Sequence, residues 1–97
     1  MVSRGLLLVI ALLLGACGTA PPVQEMSDAR QAIAAAKGAG AEEAAADAYR
    51  DAEAYLDSAE RKLSERAYAQ ARRDAILAKE RAHDALAMIE NNKSDPP

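Results

Sequence analysis

The chain has very little with which to do chemistry. Its 97 residues include one cysteine (Cys17), one histidine (His83), three tyrosines, and no Phe or Trp. A single cysteine excludes an internal disulfide, and with a single histidine it excludes the spaced Cys/His sets that hold zinc. With one histidine and no second cysteine to act as metal ligand or nucleophile, His83 reads as a solvated or helix-packing residue. An enzyme is not expected, nor any small-molecule substrate or metal. Neither charge sign dominates: 12 Lys and Arg stand against 15 Asp and Glu. That balance argues against nucleic acid or an anionic membrane surface as a partner. Glycine and proline are missing from the whole run Ala41 to Asp95, where Ala, Glu, Arg and Lys dominate. That is strong helix-forming composition.

Long apolar stretches are also scarce, and the one present is at the start. After Met1-Val2-Ser3-Arg4, Leu6 to Leu14 carry no charge, and Gly5 to Ala16 is only 12 residues. A bilayer-spanning helix needs roughly 20, so the stretch has the layout of a secretory signal peptide rather than a retained span. It ends in Leu14-Gly15-Ala16-Cys17. This run resembles the lipobox of bacterial lipoproteins, with Leu14, Gly15 and Ala16 fitting the signal peptidase and Cys17 becoming the first mature residue. The resemblance implies a thioether to diacylglycerol on the Cys17 sulfur and a further acyl chain on its freed amine. One acyl chain binds membranes marginally, whereas two or more give stable anchoring. An ordinary cut near Ala20 would place Pro21 directly after it, which disfavours that reading. Loss of residues 1–16 also removes Arg4 and leaves 11 basic against 15 acidic residues, a net charge of −4. Gly18, rather than Asp, follows the cysteine, and by the enterobacterial rule that sends the protein to the periplasmic face of the outer membrane.

Residues 17–25 read as a lipidated, semi-extended tether in which Pro21-Pro22 favours polyproline-like geometry. Met26, Ala29, Ile33 and Ala36 are spaced three, four and three apart and predict a first helix over Met26 to Lys37. Gly38-Ala39-Gly40 ends it, with Gly38 where a left-handed cap is expected. Beyond the break, Tyr49, Ala52, Leu56, Ala59 and Leu63 form one stripe. Tyr68, Ala71, Ala75, Ala78, Ala82, Ala85 and Ile89 form another. At about 100° per residue the second stripe begins roughly 140° from where the first would continue, so one straight helix would point them to different sides. A turn at Ser64-Glu65-Arg66-Ala67 lets them face each other as an antiparallel hairpin of Glu42 to Ser64 and Tyr68 to Glu90. The fold expected is all-α: a short helix plus an Ala-rich hairpin over residues 26–90, and a flexible tail over 91–97. A single long coiled-coil helix is the alternative.

Met26-x-x-Ala29-Arg30-x-Ala32-Ile33, the Gly-Ala break, the helix with Leu56, Ala59 and Leu63, and Tyr68-x-x-Ala71-Arg72-x-x-Ala75-x-x-Ala78 together resemble domain-of-unknown-function family 4398. Its members are short bacterial envelope proteins, often lipoproteins; the resemblance implies a helical domain without an assigned activity. Tyr55 to Ala78 also resembles one tetratricopeptide-type helix pair, departing from it at Ser58 and at Arg66, where a glycine is usual.

Large apolar residues are few, so the small domain is expected to be marginal alone. Ile76, Leu77 and Leu86 fall off the main stripe and leave apolar surface for the first helix or for a partner. The carboxylates Asp47, Asp51, Glu53, Asp57 and Glu60 read as a solvated face, with Asp57 and Arg61 paired at i,i+4. Arg72, Arg73, Lys79 and Arg81 read the same way. The expectation is a membrane-anchored envelope lipoprotein with a non-catalytic helical interaction or structural role, its partner an envelope protein or a second copy. The alternative is an alanine-zipper lipoprotein, a rod of about 75 Å, resembling those that tie the outer membrane to peptidoglycan. Those end in Lys or Arg, whereas this chain ends Lys93-Ser94-Asp95-Pro96-Pro97.

Overall fold

Ala71, Ala75, Ala78, Ala82 and Ala85 lose all of their exposed surface and form the spine on which the rest of the chain packs. Their three- and four-residue spacing puts them on one face of a helix, and their single methyl groups let a neighbouring backbone come close. The computed structural model describes residues 20–94. Among the described residues four helices follow one another: α1 (Val23–Gly38), α2 (Ala41–Ala44), α3 (Ala46–Ser64) and α4 (Tyr68–Ser94). No strand is present among the described residues. The two long partners of α4 are α3, which packs along it, and α1, which lies mainly on α4 and less on α3.

Side-chain pairs fix the directions. Ser58 and Lys62 near the end of α3 both reach Asp74 near the start of α4, so these helices are antiparallel. Glu25 at the start of α1 meets Arg72 at the start of α4. The far end of α1 opens at Ala39 and Gly40 onto Ile89 and Asn92 of α4, so α1 runs parallel to α4. The result is an up-down-up bundle.

The hairpin turn excludes the single long helix. Arg66 adopts φ 62°, the left-handed region. The Ala67 N–H donates to the Lys62 carbonyl at 2.8 Å and the Arg66 N–H to the Leu63 carbonyl at 3.0 Å. That pair of bonds is the Schellman closure, which satisfies carbonyls orphaned at a helix end and reverses the chain. Glycine usually fills the left-handed position, since any other residue costs about 1–2 kcal/mol there. Here an arginine does, at the position where the tetratricopeptide pattern would have its glycine.

The buried set follows the predicted stripes. Met26, Ala29, Ile33 and Ala36 are buried, joined by Ala32; so are Tyr49, Ala52 and Ala59, and Ala71 through Ile89 of the α4 stripe. Leu56, Leu63, Tyr55 and Leu86 are partly buried against this core. Leu86 thus belongs to the bundle, while Ile76 stays 40% and Met88 48% exposed. No polar or charged side chain is buried among the described residues.

The boundaries differ from expectation in four places. First, α1 begins at Val23, inside the segment expected to be a tether, because Pro22 leads it and accepts the Met26 N–H at 3.0 Å. Pro22 itself is fully buried. Second, Gly38 is the last helical residue and Gly40, at φ 89°, takes the left-handed conformation. Third, the expected helix Glu42 to Ser64 bends at Ala45 (φ −143°, ψ 52°), which separates α2 from α3. The bonds Ala45 N–H to Ala41 O and Tyr49 N–H to Ala45 O, both 3.0 Å, carry the chain through the bend. Fourth, α4 continues to Ser94, so the first part of the expected flexible tail is helical. Asp95 to Pro97 lie outside the described residues.

Candidate lipid-attachment end and exposed surfaces

Leu14, Gly15, Ala16 and Cys17, with the whole segment 1–16, lie outside the described residues. Ala20, three residues after Cys17, is the first described residue. Its carbonyl accepts Arg72 Nη2 at 3.0 Å, and Arg72 Nε donates to Glu25 Oε1 at 3.2 Å. One guanidinium fork therefore holds two parts of the N-terminal segment, the use to which arginine's fixed planar donors are suited. Pro21 closes the path by accepting the Val23 N–H at 2.9 Å. Beside this clamp, Asp74 accepts the Ser58 hydroxyl at 2.6 Å and Lys62 Nζ at 3.0 Å. Burial alone would raise the Asp74 carboxyl. The two donors, with the charges of Lys62 and Arg73, outweigh it and hold the carboxyl below its usual range.

At the opposite end, Ala39, Gly40, Glu43, Ala44, Ile89, Asn92 and Lys93 line a shallow cleft of about 500 Å³. Tyr49 lies nearby with its ring buried and its hydroxyl donating to Glu42 Oε1 at 3.4 Å. Burial, then the negative charges of Glu53 and Glu42, push its phenol above the usual value.

The side chains with any chemical potential are spread over the outside of the bundle. His83 is exposed, as are Asp47, Asp51, Glu53, Asp57 and Glu60. No group of three or more His, Cys, Asp or Glu among the described residues is placed to hold a metal. The expected Asp57 and Arg61 pair is not formed; neighbouring Glu60 instead reaches across to Arg30 on α1 at 3.4 Å. Arg81 pairs within α4 with Asp84 at 3.1 Å. No helix among the described residues is long and apolar enough to cross a membrane. What the sequence did not reveal is the partnership of Arg72 with Glu25 and Ala20, which spans 47 and 52 residues. An arginine flanking an alanine stripe looks like any solvated one until the helices are docked.

The model for a domain of unknown function, DUF4398, matches residues 24–95. The chain belongs to this family. The matched segment takes in nearly all of the bundle and leaves Met1 to Val23 outside it. No curated protein and no solved structure is significantly similar to the chain. In this DUF4398 domain the alanine seam is interior, and the polar side chains are left at the two ends and on the outer faces.

Proposed function

We propose that the protein is a lipid-anchored component of a bacterial cell envelope, held at the periplasmic face of the outer membrane through acyl chains on Cys17. Its DUF4398 bundle serves there as a non-catalytic interaction or structural module. The observation that carries this reading is the run Leu14-Gly15-Ala16-Cys17 behind a charged start and a short uncharged stretch. Supporting it, the helical domain begins within a few residues of that cysteine, as expected if everything before Cys17 is removed. For the non-catalytic part, the support is chemical inventory: after Cys17 is acylated no thiol remains, and the single histidine is exposed on α4. The partner is an envelope protein or a second copy of the chain.

Metabolic labelling with palmitate in the producing bacterium tests the anchor. The wild-type chain should carry label and sediment with membranes, and Cys17→Ser should lose both. Unchanged labelling of Cys17→Ser would refute the anchor. Separation of inner and outer membranes on a density gradient tests its destination, with recovery in the inner membrane contradicting the assignment drawn from Gly18.

A further inference from the structure

We infer that the bundle stands on the bilayer with a defined end down: the end formed by Pro21-Pro22, the Ser64 to Ala67 turn and the first turns of α4, with Arg72 as the clamp that sets this posture. The inference rests on the proposed lipidation of Cys17 and adds to it a surface and its partner, the lipid headgroups.

Chain reach supplies the first support. Three Cα steps separate Cys17 from Ala20, and at 3.8 Å each they span at most about 11 Å. Ala20 is held at the start of α4 by Arg72. From Tyr68 to Asn92, α4 rises about 36 Å. The sulfur at Cys17 therefore cannot approach the far end of the bundle while the clamp is closed. Whatever path residues 17–19 take, the acyl chains enter the membrane beside the turn.

Charge supplies the second. Arg61, Arg66 and Arg73 are exposed near the turn and outnumber its exposed carboxylate Glu65; nearby Glu60 is paired with Arg30, and neither Arg61 nor Arg66 forms an ion pair among the described residues. At the other end Glu42, Glu43, Asp47 and Asp51 outnumber Lys37, Arg50 and Lys93, all of them exposed, with Lys37 paired to Glu42. Headgroup phosphates attract the first set and repel the second, over distances of about a Debye length. The overall negative balance weighs against a chain lying flat on an anionic surface. An upright bundle meets that objection, since only the end where exposed arginines outnumber Glu65 touches lipid. The Arg72 fork costs little to keep closed because both acceptors come from a segment already fixed by buried Pro22.

The chain contains no tryptophan, so a single introduced one reports position without ambiguity. Lipidated protein carrying Ser64→Trp or Asn92→Trp would be reconstituted into phosphatidylglycerol-containing vesicles with dansyl-labelled headgroups. Energy transfer should be several-fold stronger from Ser64→Trp than from Asn92→Trp, and Arg72→Ala should bring the two closer together. Equal transfer in the parent protein would overturn the posture. An Arg72→Ala protein that melts lower yet keeps the full difference would overturn the clamp. Should Arg72→Ala fail to fold, a Gly/Ser-rich insertion after Gly18 keeps the bundle intact; an unchanged difference with a long insertion would overturn the reach argument. The same pair is measured on unlipidated chain starting at Cys17 and coupled through its thiol to maleimide lipid. If the native chain proves to carry no acyl group, the lipoprotein reading fails, while this second arm still reads whether the bundle stands as inferred.

Discussion

Gly38 and Gly40 lie two residues apart in the same break, and substituting each by alanine should change stability in opposite directions. Gly38 is the last residue of α1, its φ is negative, and an added Cβ would meet nothing within 4 Å. A glycine inside a helix costs about 0.5–1 kcal/mol relative to alanine, less toward the end, so Gly38→Ala should stabilise by about 0.5 kcal/mol. Gly40 also has open space where a methyl group would sit, but its φ is +89°. There an alanine costs about 1–2 kcal/mol of backbone strain. It recovers about 0.4–1 kcal/mol because the unfolded chain is stiffer. The net is a loss near 1 kcal/mol. For a domain of this size 1 kcal/mol moves the melting midpoint by about 4–8 °C. Gly40→Ala should therefore melt about 4–8 °C lower and Gly38→Ala a few degrees higher. Thermal and urea unfolding of the soluble form starting at Gly18, followed by far-ultraviolet circular dichroism, resolves shifts of that size. The reverse pattern, with Gly38→Ala destabilising, would mean that Gly38 is the left-handed cap and would refute the turn as described.

The same reasoning applies at the hairpin turn: Arg66→Gly should raise the melting midpoint and Arg66→Ala should not, since only glycine relieves φ 62°. Asp74 sets an acid limb. Because its folded pKa lies below the unfolded one, its contribution is complete above about pH 4 and fades as pH falls through the folded value. Urea midpoints against pH should show that decline, and Asp74→Asn should lower stability at neutral pH and flatten the decline; an unaltered acid limb would remove Asp74 as its source. Ala78 has no exposed surface, so Ala78→Leu should destabilise by about 1–3 kcal/mol through overpacking, whereas Ala87→Leu on the exposed side should be close to neutral in the same melts. Small-angle X-ray scattering of the soluble form should fit a bundle not much longer than α4, about 40 Å for its 27 residues; a rod near the 75 Å of a continuous helix would contradict the hairpin.

Helix faces were legible in the sequence because burial follows the 3.6-residue period even when the buried residue is only a methyl group. The α1 stripe from Met26 to Ala36 and the α4 stripe from Ala71 to Ile89 are buried as spaced. The phase offset between the α3 and α4 stripes located the turn, although its left-handed residue is an arginine and carries no local signature. Backbone detail was not legible. Ala45 leaves the helical region with the residue type that favours helix most, so the bend comes from how the segment docks and not from its propensity. Gly38 and Gly40 are equivalent by composition, and only the direction in which the chain leaves α1 decides which takes positive φ. Pro22 reads as part of a solvated tether because prolines there allow an extended path; its burial follows from the helix it leads packing against α4.

The two ends of the molecule differ in what made them visible. Cys17 could be singled out from local sequence because acylation needs a thiol after small residues, a requirement confined to four adjacent positions. Arg72 could not, because its partners are 47 and 52 residues away and its own neighbours, Arg73 and Asp74, suggest a solvated face. Yet Arg72 is what makes the place of Cys17 bear on the rest of the protein. With the fork open, buried Pro22 still holds the segment, but the free tether grows from three to five Cα steps, about 19 Å, and the bundle gains room to tilt. On the proposed anchoring, a closed fork would narrow the range of directions as well. The end with the cleft would then point away from the bilayer, and a protein partner in the envelope would meet the Glu43, Asn92 and Lys93 end and the flanks of the bundle before the turn.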